Sequence, residues 1–176
     1  MTENLIVYYS RTGTARQVAE TVAAHTGWTL AEVRDETPRA GLSGDLRCVL
    51  DMLLHRKPAY RYEGPRPAGC RHVVVIAPVW LGRLAAPMRG FIQDNAPFPG
   101  AVSAICVMAA RGGFRAEDDI ARLTRKTPEP ALVVRQADVQ SGEAAASLAA
   151  FARALRTRQT EPAPTGRPAW ISSNEA

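Results

Sequence analysis

The stretch Leu5-Ile6-Val7-Tyr8-Tyr9-Ser10-Arg11-Thr12-Gly13-Thr14-Ala15 contains the change of period that decides the fold. Leu5 to Tyr9 is a short, nearly continuous apolar run rich in β-formers. Such runs suit a strand buried on both faces of a parallel sheet. It breaks into a polar turn with a single glycine. Apolar residues then recur at Ala15, Val18, Ala19 and Val22, the i, i+3, i+4, i+7 spacing of one helix face. Gly27 stops that helix, and Thr29 to Val33 returns to a strand pattern.

The same alternation continues outward. Asp35 to Leu42 is a polar turn region, and Ser43 is placed to cap a helix with Leu46, Val49, Leu50 and Leu53 on one face. Pro58, Gly64, Pro65 and Pro67 punctuate Lys57 to Gly69, which predicts a loop. His72-Val73-Val74-Val75-Ile76-Ala77 is the clearest strand, ending in a loop at Pro78-Val79-Trp80-Leu81-Gly82. A helix with Leu84, Met88, Phe91 and Ile92 turned inward follows. Ala101 to Met108 reads as the fourth strand, closed by Ala109-Ala110-Arg111-Gly112-Gly113-Phe114. Ala116 to Arg125 predicts a helix and Ala131 to Arg135 a fifth strand. Ala144, Leu148, Phe151, Ala152 and Leu155 mark the last helix, with Ser141 as its cap. Residues 1–158 read as one domain, and 159–176 as a polar, Pro-rich, flexible tail.

Strands alternating with helices predict an α/β three-layer sandwich, a parallel sheet with helices on both faces. Right-handed crossovers leave few topologies for five strands, and the order 2-1-3-4-5 is the expectation. Ligands of such sheets sit beyond the strand carboxyl ends, at the switch point between strands 1 and 3.

Composition bounds the function. The chain has 176 residues, 46% hydrophobic and 22% charged, with a formal net charge of +5. That suits one globular domain. No apolar run approaches the roughly 20 residues of a membrane helix, so membrane insertion is not expected. The start, MTENLIVYYS, enters a strand pattern without a basic n-region, so cytoplasmic residence is the expectation. Cys48, Cys70 and Cys106 are scattered, and neither they nor His25, His55 and His72 have the spacing of a disulfide framework or a metal site. Nearly all the positive charge is arginine, but no arginine block is interleaved with aromatics, so nucleic acid is not an expected partner.

The strand-end loops carry the chemistry. In Ser10-Arg11-Thr12-Gly13-Thr14, successive backbone N–H groups at a helix start form a concave nest for an anion, and the hydroxyls of Ser10, Thr12 and Thr14 add donors. A phosphate monoester fits this chemistry; turn and cap chemistry alone would also use these residues. No Walker pattern and no GxGxxG is present. Trp80 stands at the rim of the central strand, able either to pack under a neighbouring loop or to cover a flat ligand. Pro78 sets the entry to its loop, and Gly82 and Gly112-Gly113 allow close backbone approach.

Tyr9-Ser10-Arg11-Thr12-Gly13-Thr14 resembles the phosphate loop of flavodoxins. Pro78-Val79-Trp80-Leu81-Gly82, followed by Ala86-Pro87 and Phe91, resembles their aromatic loop, and Ala109 to Phe114 is similar in place to their ring-edge loop. The likeness runs from about Asn4 to Leu155. It implies a non-covalent FMN, with its phosphate on Ser10 to Ala15 and its isoalloxazine between the Trp80 and Arg111 loops. It further implies electron transfer or flavin-dependent reduction, and a redox partner protein or NAD(P)H as partner. No catalytic side chain and no metal ligand is implied. Two departures stand out: Gly13-Thr14-Ala15 where the family closes its loop Gly-Asn-Thr, and Arg111 where small or polar residues are common.

Low-potential carriers of that family are strongly acidic, whereas Arg11, Arg83, Arg111 and Arg115 lie in or beside the ligand loops here. A positive charge about 4 Å from a charged ring edge contributes about 4 kcal/mol at an effective dielectric of ~20, before screening. A raised potential and anionic partners are therefore expected. The functional alternatives are an electron carrier, an FMN-dependent NAD(P)H oxidoreductase acting on quinone-like acceptors, and a domain of the same fold without FMN.

Overall fold

A computed structural model of the chain describes residues 3–36, 59–109 and 113–160. The expected helix around Leu46 to Leu53, the residues Ala110, Arg111 and Gly112, and residues 161–176 lie outside the described residues. In chain order the elements are β1 Glu3–Tyr9, α1 Thr14–Thr26, β2 Thr29–Asp35, β3 Tyr60–Tyr62, β4 Cys70–Trp80, β5 Arg83–Leu84, α2 Ala86–Asn95, β6 Ala101–Met108, α3 Gly113–Thr124, β7 Ala131–Arg135, α4 Gln136–Ser141 and α5 Ala145–Thr160.

The sheet runs β3-β2-β1-β4-β6-β7, with β5 paired to β4 outside that path. Its parallel strands are β2, β1, β4, β6 and β7, in register through pairs such as Ile6↔Leu30, Val7↔Val75, Val75↔Ala104 and Ile105↔Leu132. Taken in order of appearance, these strands run 2-1-3-4-5, as the pattern predicts. The two additions, β3 and β5, are antiparallel.

Alternation along each strand divides the core into two layers. Leu5, Val7, Val73, Val75, Ala77, Ala104 and Cys106 face one side, with Met88, Phe91 and Ile92 of α2 and Ala116 and Ile120 of α3. Ile6, Tyr8, Val74, Ile76, Ile105 and Val107 face the other, with Ala15, Val18 and Val22 of α1 and Leu148, Phe151 and Leu155 of α5. In β1, β4 and β6 nearly every position is buried on one face or the other, which is why these strands read as runs rather than alternations.

The sequence misplaces some boundaries. Tyr60 to Tyr62 falls within the expected loop but forms an edge strand on β2, because both tyrosine rings find Phe91. The ring centroids are 5.9 and 4.6 Å from it. Tyr62 donates its hydroxyl to the Pro65 carbonyl at 2.7 Å, and Tyr60 donates to Asp94 at 3.1 Å. Ser141 does not cap the last helix. It ends the short α4, and Gly142, at φ 86, turns the chain before α5 begins.

His72, one of the dispersed histidines, lies at the amino end of β4, far from the strand-end loops. Its Nε2 donates to Ser103 Oγ at 2.8 Å, since the Ser103 hydroxyl itself donates to the Glu129 carbonyl at 2.7 Å. The Trp28 ring sits 5.0 Å away. Burial, with a smaller push from Arg158, lowers the imidazole to about 4, so it is neutral at pH 7.

Candidate functional site

The site begins with β1. Tyr9 is its last residue, and Ser10 to Gly13 form the turn into α1. Gly13 is the N-cap at φ 93, a left-handed conformation that residues with a Cβ seldom adopt. Its N–H donates to Ser10 Oγ at 3.1 Å, folding the turn back on itself. The start of α1 has no side-chain cap and no acidic residue in its first turn. Its leading N–H groups are thus left for an acceptor from outside the helix. Arg11, Thr12 and Gly13 are exposed, whereas Thr14 and Ala15 are buried as the first helical residues. Ser10, Arg11 and Thr12 line a cleft of about 430 Å³ whose opposite wall is Glu32, Arg34 and Asp35 of β2.

Charge along that wall is paired. Arg16 of α1 and Arg34 both donate to Glu32, at 2.6 and 2.7 Å. Burial pushes the Glu32 carboxyl up, but hydrogen bonds and charge from the two arginines outweigh it and leave the group below its usual range. Asp35, at the end of β2, accepts the Tyr9 hydroxyl at 2.7 Å.

The second wall departs from the sequence expectation. Pro78, Val79 and Trp80 do not form a loop: β4 continues through them to Trp80. The strand can extend because β6 pairs with it as far as Val79↔Met108, while β1 pairs with it only to Tyr8↔Ile76. On the edge that β1 has left, β5 folds back through Val79↔Leu84 and Trp80↔Arg83. The Pro78 carbonyl accepts the Ala85 N–H there at 3.1 Å. N–H and C=O of one strand residue point the same way, so the N–H that proline lacks would have faced this edge, and the ladder to β6 loses nothing.

Leu81 and Gly82 make the turn, at φ 47 and φ 78. Trp80 packs partly buried against the core, its ring 5.6 Å from Tyr9 and nearly perpendicular to it at 82°. Trp80, Tyr9 and Asp35 thus connect the carboxyl ends of β4, β1 and β2 across the switch point.

The third segment is partly described. Ala109, exposed, follows β6; Gly113 opens α3 and is buried; Phe114 is 78% exposed. A Cβ on Gly113 would collide with the Val133 side chain on β7. That glycine therefore serves close packing of α3 on the sheet, a use the sequence reading did not give it.

Arg83 is not an uncommitted rim charge. Its guanidinium donates from Nε and Nη2 to both oxygens of Asp119 on α3, each at 2.8 Å, and Arg122 donates to the same carboxylate at 2.7 Å. Hydrogen bonding to Asp119 pushes the Arg83 guanidinium further up. On α2, Arg89 is buried, and burial pulls its guanidinium down while the Asp119 charge holds it up. Part of the positive charge expected at this edge is therefore balanced by a buried carboxylate. Sequence reading missed Asp119. The available signal was its position on the inward stripe of α3, with Ala116, Ile120 and Leu123, where an apolar residue is the norm.

Among the described residues no helix is long and apolar enough to cross a membrane. No family model matches the sequence, and no curated protein matches it. Solved structures do match in shape. A flavoprotein from Lactobacillus acidophilus in complex with FMN is similar at TM-score 0.65 and 18% identity, over 80% of this chain and 98% of that one. A flavodoxin, WrbA-like protein from Agrobacterium tumefaciens is similar at TM-score 0.57 and 14% identity, over 91% and 100%. The apo form of an NADH:FMN oxidoreductase is similar at TM-score 0.59 and 15% identity, over 97% and 100%. At such identities the likeness is one of architecture. Strand order, helix layers and these neighbours agree that the chain has a flavodoxin-like fold.

Proposed function

We propose that this chain is an FMN-binding redox protein that passes electrons between partners. The carrying observation is the start of α1, a helix terminus with neither a side-chain cap nor an acidic residue, beside the half-buried Ser10 and the exposed Arg11, Thr12 and Gly13. This terminus suits the FMN phosphate: N–H groups of the first turn and the hydroxyls of Ser10 and Thr12 supply donors, and the helix dipole favours the negative charge. The end of β4 at Pro78 to Trp80, the Leu81–Gly82 turn and the segment Ala109 to Phe114 would bound the ring, with Trp80 offering an aromatic surface at the strand end. Tyr9, fixed by its bond to Asp35, supports the indole from below.

FMN, when bound, supplies the ability to accept and release one or two electrons at its ring. The residues of the chain supply grip, orientation and shielding from water. The known FMN complex of the L. acidophilus flavoprotein, which shares this fold, supports the choice of ligand.

The test is a titration of the purified protein with FMN, followed by quenching of flavin fluorescence. Saturable one-to-one binding that weakens in Ser10→Ala/Thr12→Ala is the expected result; no binding at all refutes the proposal.

A second reading, an FMN-dependent NAD(P)H oxidoreductase acting on quinone-like acceptors, draws on the likeness to the NADH:FMN oxidoreductase. Anaerobic mixing of the FMN-loaded protein with NADH or NADPH separates the two. Rapid bleaching of the flavin favours the oxidoreductase, and slow or absent bleaching favours the carrier, whose reductant is another protein.

A further inference from the structure

We propose that Asp119 is a positioning residue that sets the β4–β5 hairpin as a preformed wall of the flavin site, an inference that rests on the FMN reading above. The hairpin is costly to hold. Its two turn residues both have positive φ, at Leu81 (47) and Gly82 (78), the pattern of a tight two-residue hairpin. Asn-Gly is the usual pair there; a leucine in the first position is strained by its Cβ. The strain is not relieved by burying the side chain, since Leu81 is 71% exposed. Something outside the turn has to hold it.

Asp119 does so with every oxygen it has. Oδ2 accepts from Arg83 Nε at 2.8 Å and from the Leu84 N–H at 3.2 Å, and Oδ1 accepts from Arg83 Nη2 at 2.8 Å. Both residues of β5 are therefore tied to one carboxylate, by a bidentate pair and a backbone bond. Arg122 completes the set from within α3. Asp119 is itself 3% exposed on the apolar stripe of its helix, where packing alone would ask for a leucine. A buried carboxylate left without partners would be costly, so Asp119 depends at this place on the groups that pair with it. Of the groups that hydrogen-bond to it, all but Arg122 belong to the hairpin, and buried Arg89 of α2 adds a charge contact. The hairpin in turn fixes Trp80, at its entry, against Tyr9. A wall held in this way needs no ordering when the ligand arrives, and so binding is stronger.

The experiment uses the full chain with Asp119→Leu, which preserves packing, and Arg83→Met, which removes only the side-chain half of the brace. Amide exchange is followed first without flavin. The Leu84 amide is expected to exchange at least roughly tenfold faster in Asp119→Leu, with β6 amides such as Ile105 unchanged. FMN titration is then expected to show roughly tenfold weaker binding in both variants, by analogy with metal sites, where losing an orienting outer hydrogen bond costs about that much or more. The visible absorption and circular dichroism of the bound flavin should change as well, as its surroundings loosen. Arg158→Ala, which removes only the exposed pair with Glu129 away from the hairpin, should leave Leu84 protection and FMN affinity near wild type.

Unchanged Leu84 protection in Asp119→Leu overturns the proposal. So does a loosened hairpin that still binds FMN with wild-type affinity and spectrum. Should Asp119→Leu fail to fold, Arg83→Met decides by the FMN affinity and spectrum. A wild-type protein that takes no FMN sinks the flavin reading instead, and Leu84 exchange in the flavin-free protein then judges the brace alone.

Discussion

Replacing Gly13 with alanine isolates what the turn before α1 contributes to binding. Gly13 has φ 93, and a Cβ placed there would meet nothing within 4 Å, so the substitution adds conformational strain and no collision. Placing an L-residue in left-handed backbone costs about 1–2 kcal/mol. Gly27 is an internal control: it closes the same helix at φ 71, also with open space around its Cβ. Its N–H donates to the Ala23 carbonyl at 2.8 Å, so the folded helix end holds it in place.

The strain at Gly27→Ala should therefore appear wholly as lost stability. At Gly13→Ala it can be met in two ways. The turn either keeps its shape, and the free protein is destabilised, or it relaxes and must be re-formed when phosphate binds. The loss in stability and the loss in binding free energy should then sum to about 1–2 kcal/mol. A fully relaxed turn corresponds to FMN affinity weakened by about five- to thirtyfold. Urea unfolding of the flavin-free proteins and FMN fluorescence titration measure the two parts. The reasoning fails if Gly27→Ala weakens FMN as much as Gly13→Ala, or if Gly13→Ala changes neither quantity.

Further outcomes are expected away from the turn. The His72 imidazole is held at about 4 against 6.5 in the unfolded chain, so between these values the unfolded state binds a proton that the folded state refuses. Stability should thus fall as pH drops from about 6.5, by an amount approaching 3 kcal/mol at pH 4; urea midpoints across that range should show this extra slope in wild type and lose it in His72→Gln. Gly113→Ala should destabilise through collision with Val133, and Gly113→Ala/Val133→Ala should recover part of the loss in thermal melts. Tyr9→Phe removes the donor to Asp35 and should cost about 1–3 kcal/mol by urea unfolding, without changing secondary structure.

The parallel layers were legible because both faces of β1, β4 and β6 are buried, so their sequences are uninterrupted apolar runs. Tyr60 to Tyr62 was not, since an edge strand of three residues has no period to read, and its stability comes from Phe91, distant in sequence. The end of β4 was hidden for a related reason. Pro78 normally argues against a strand interior, and only the tertiary arrangement shows that its missing donor faces an edge already vacated by β1. The turn at Ser10 to Gly13 and the start of α1 could be read locally, because glycine conformation and helix starts are short-range properties. The pairing of Arg83 with Asp119 could not: the partners are 36 residues apart, and an arginine beside a ligand loop looks the same in sequence whether it is free or neutralised.

The return of β5 along β4 has a consequence for the kind of partner this crevice can accept. The backbone edge of β4 beyond Ile76, which would otherwise offer a template for an extended peptide, is already used by the chain itself. A guest at the switch point therefore cannot join β4 as an added strand. It has to be grasped by turns, rings and helix ends, a mode of capture that favours a compact ligand over a length of polypeptide.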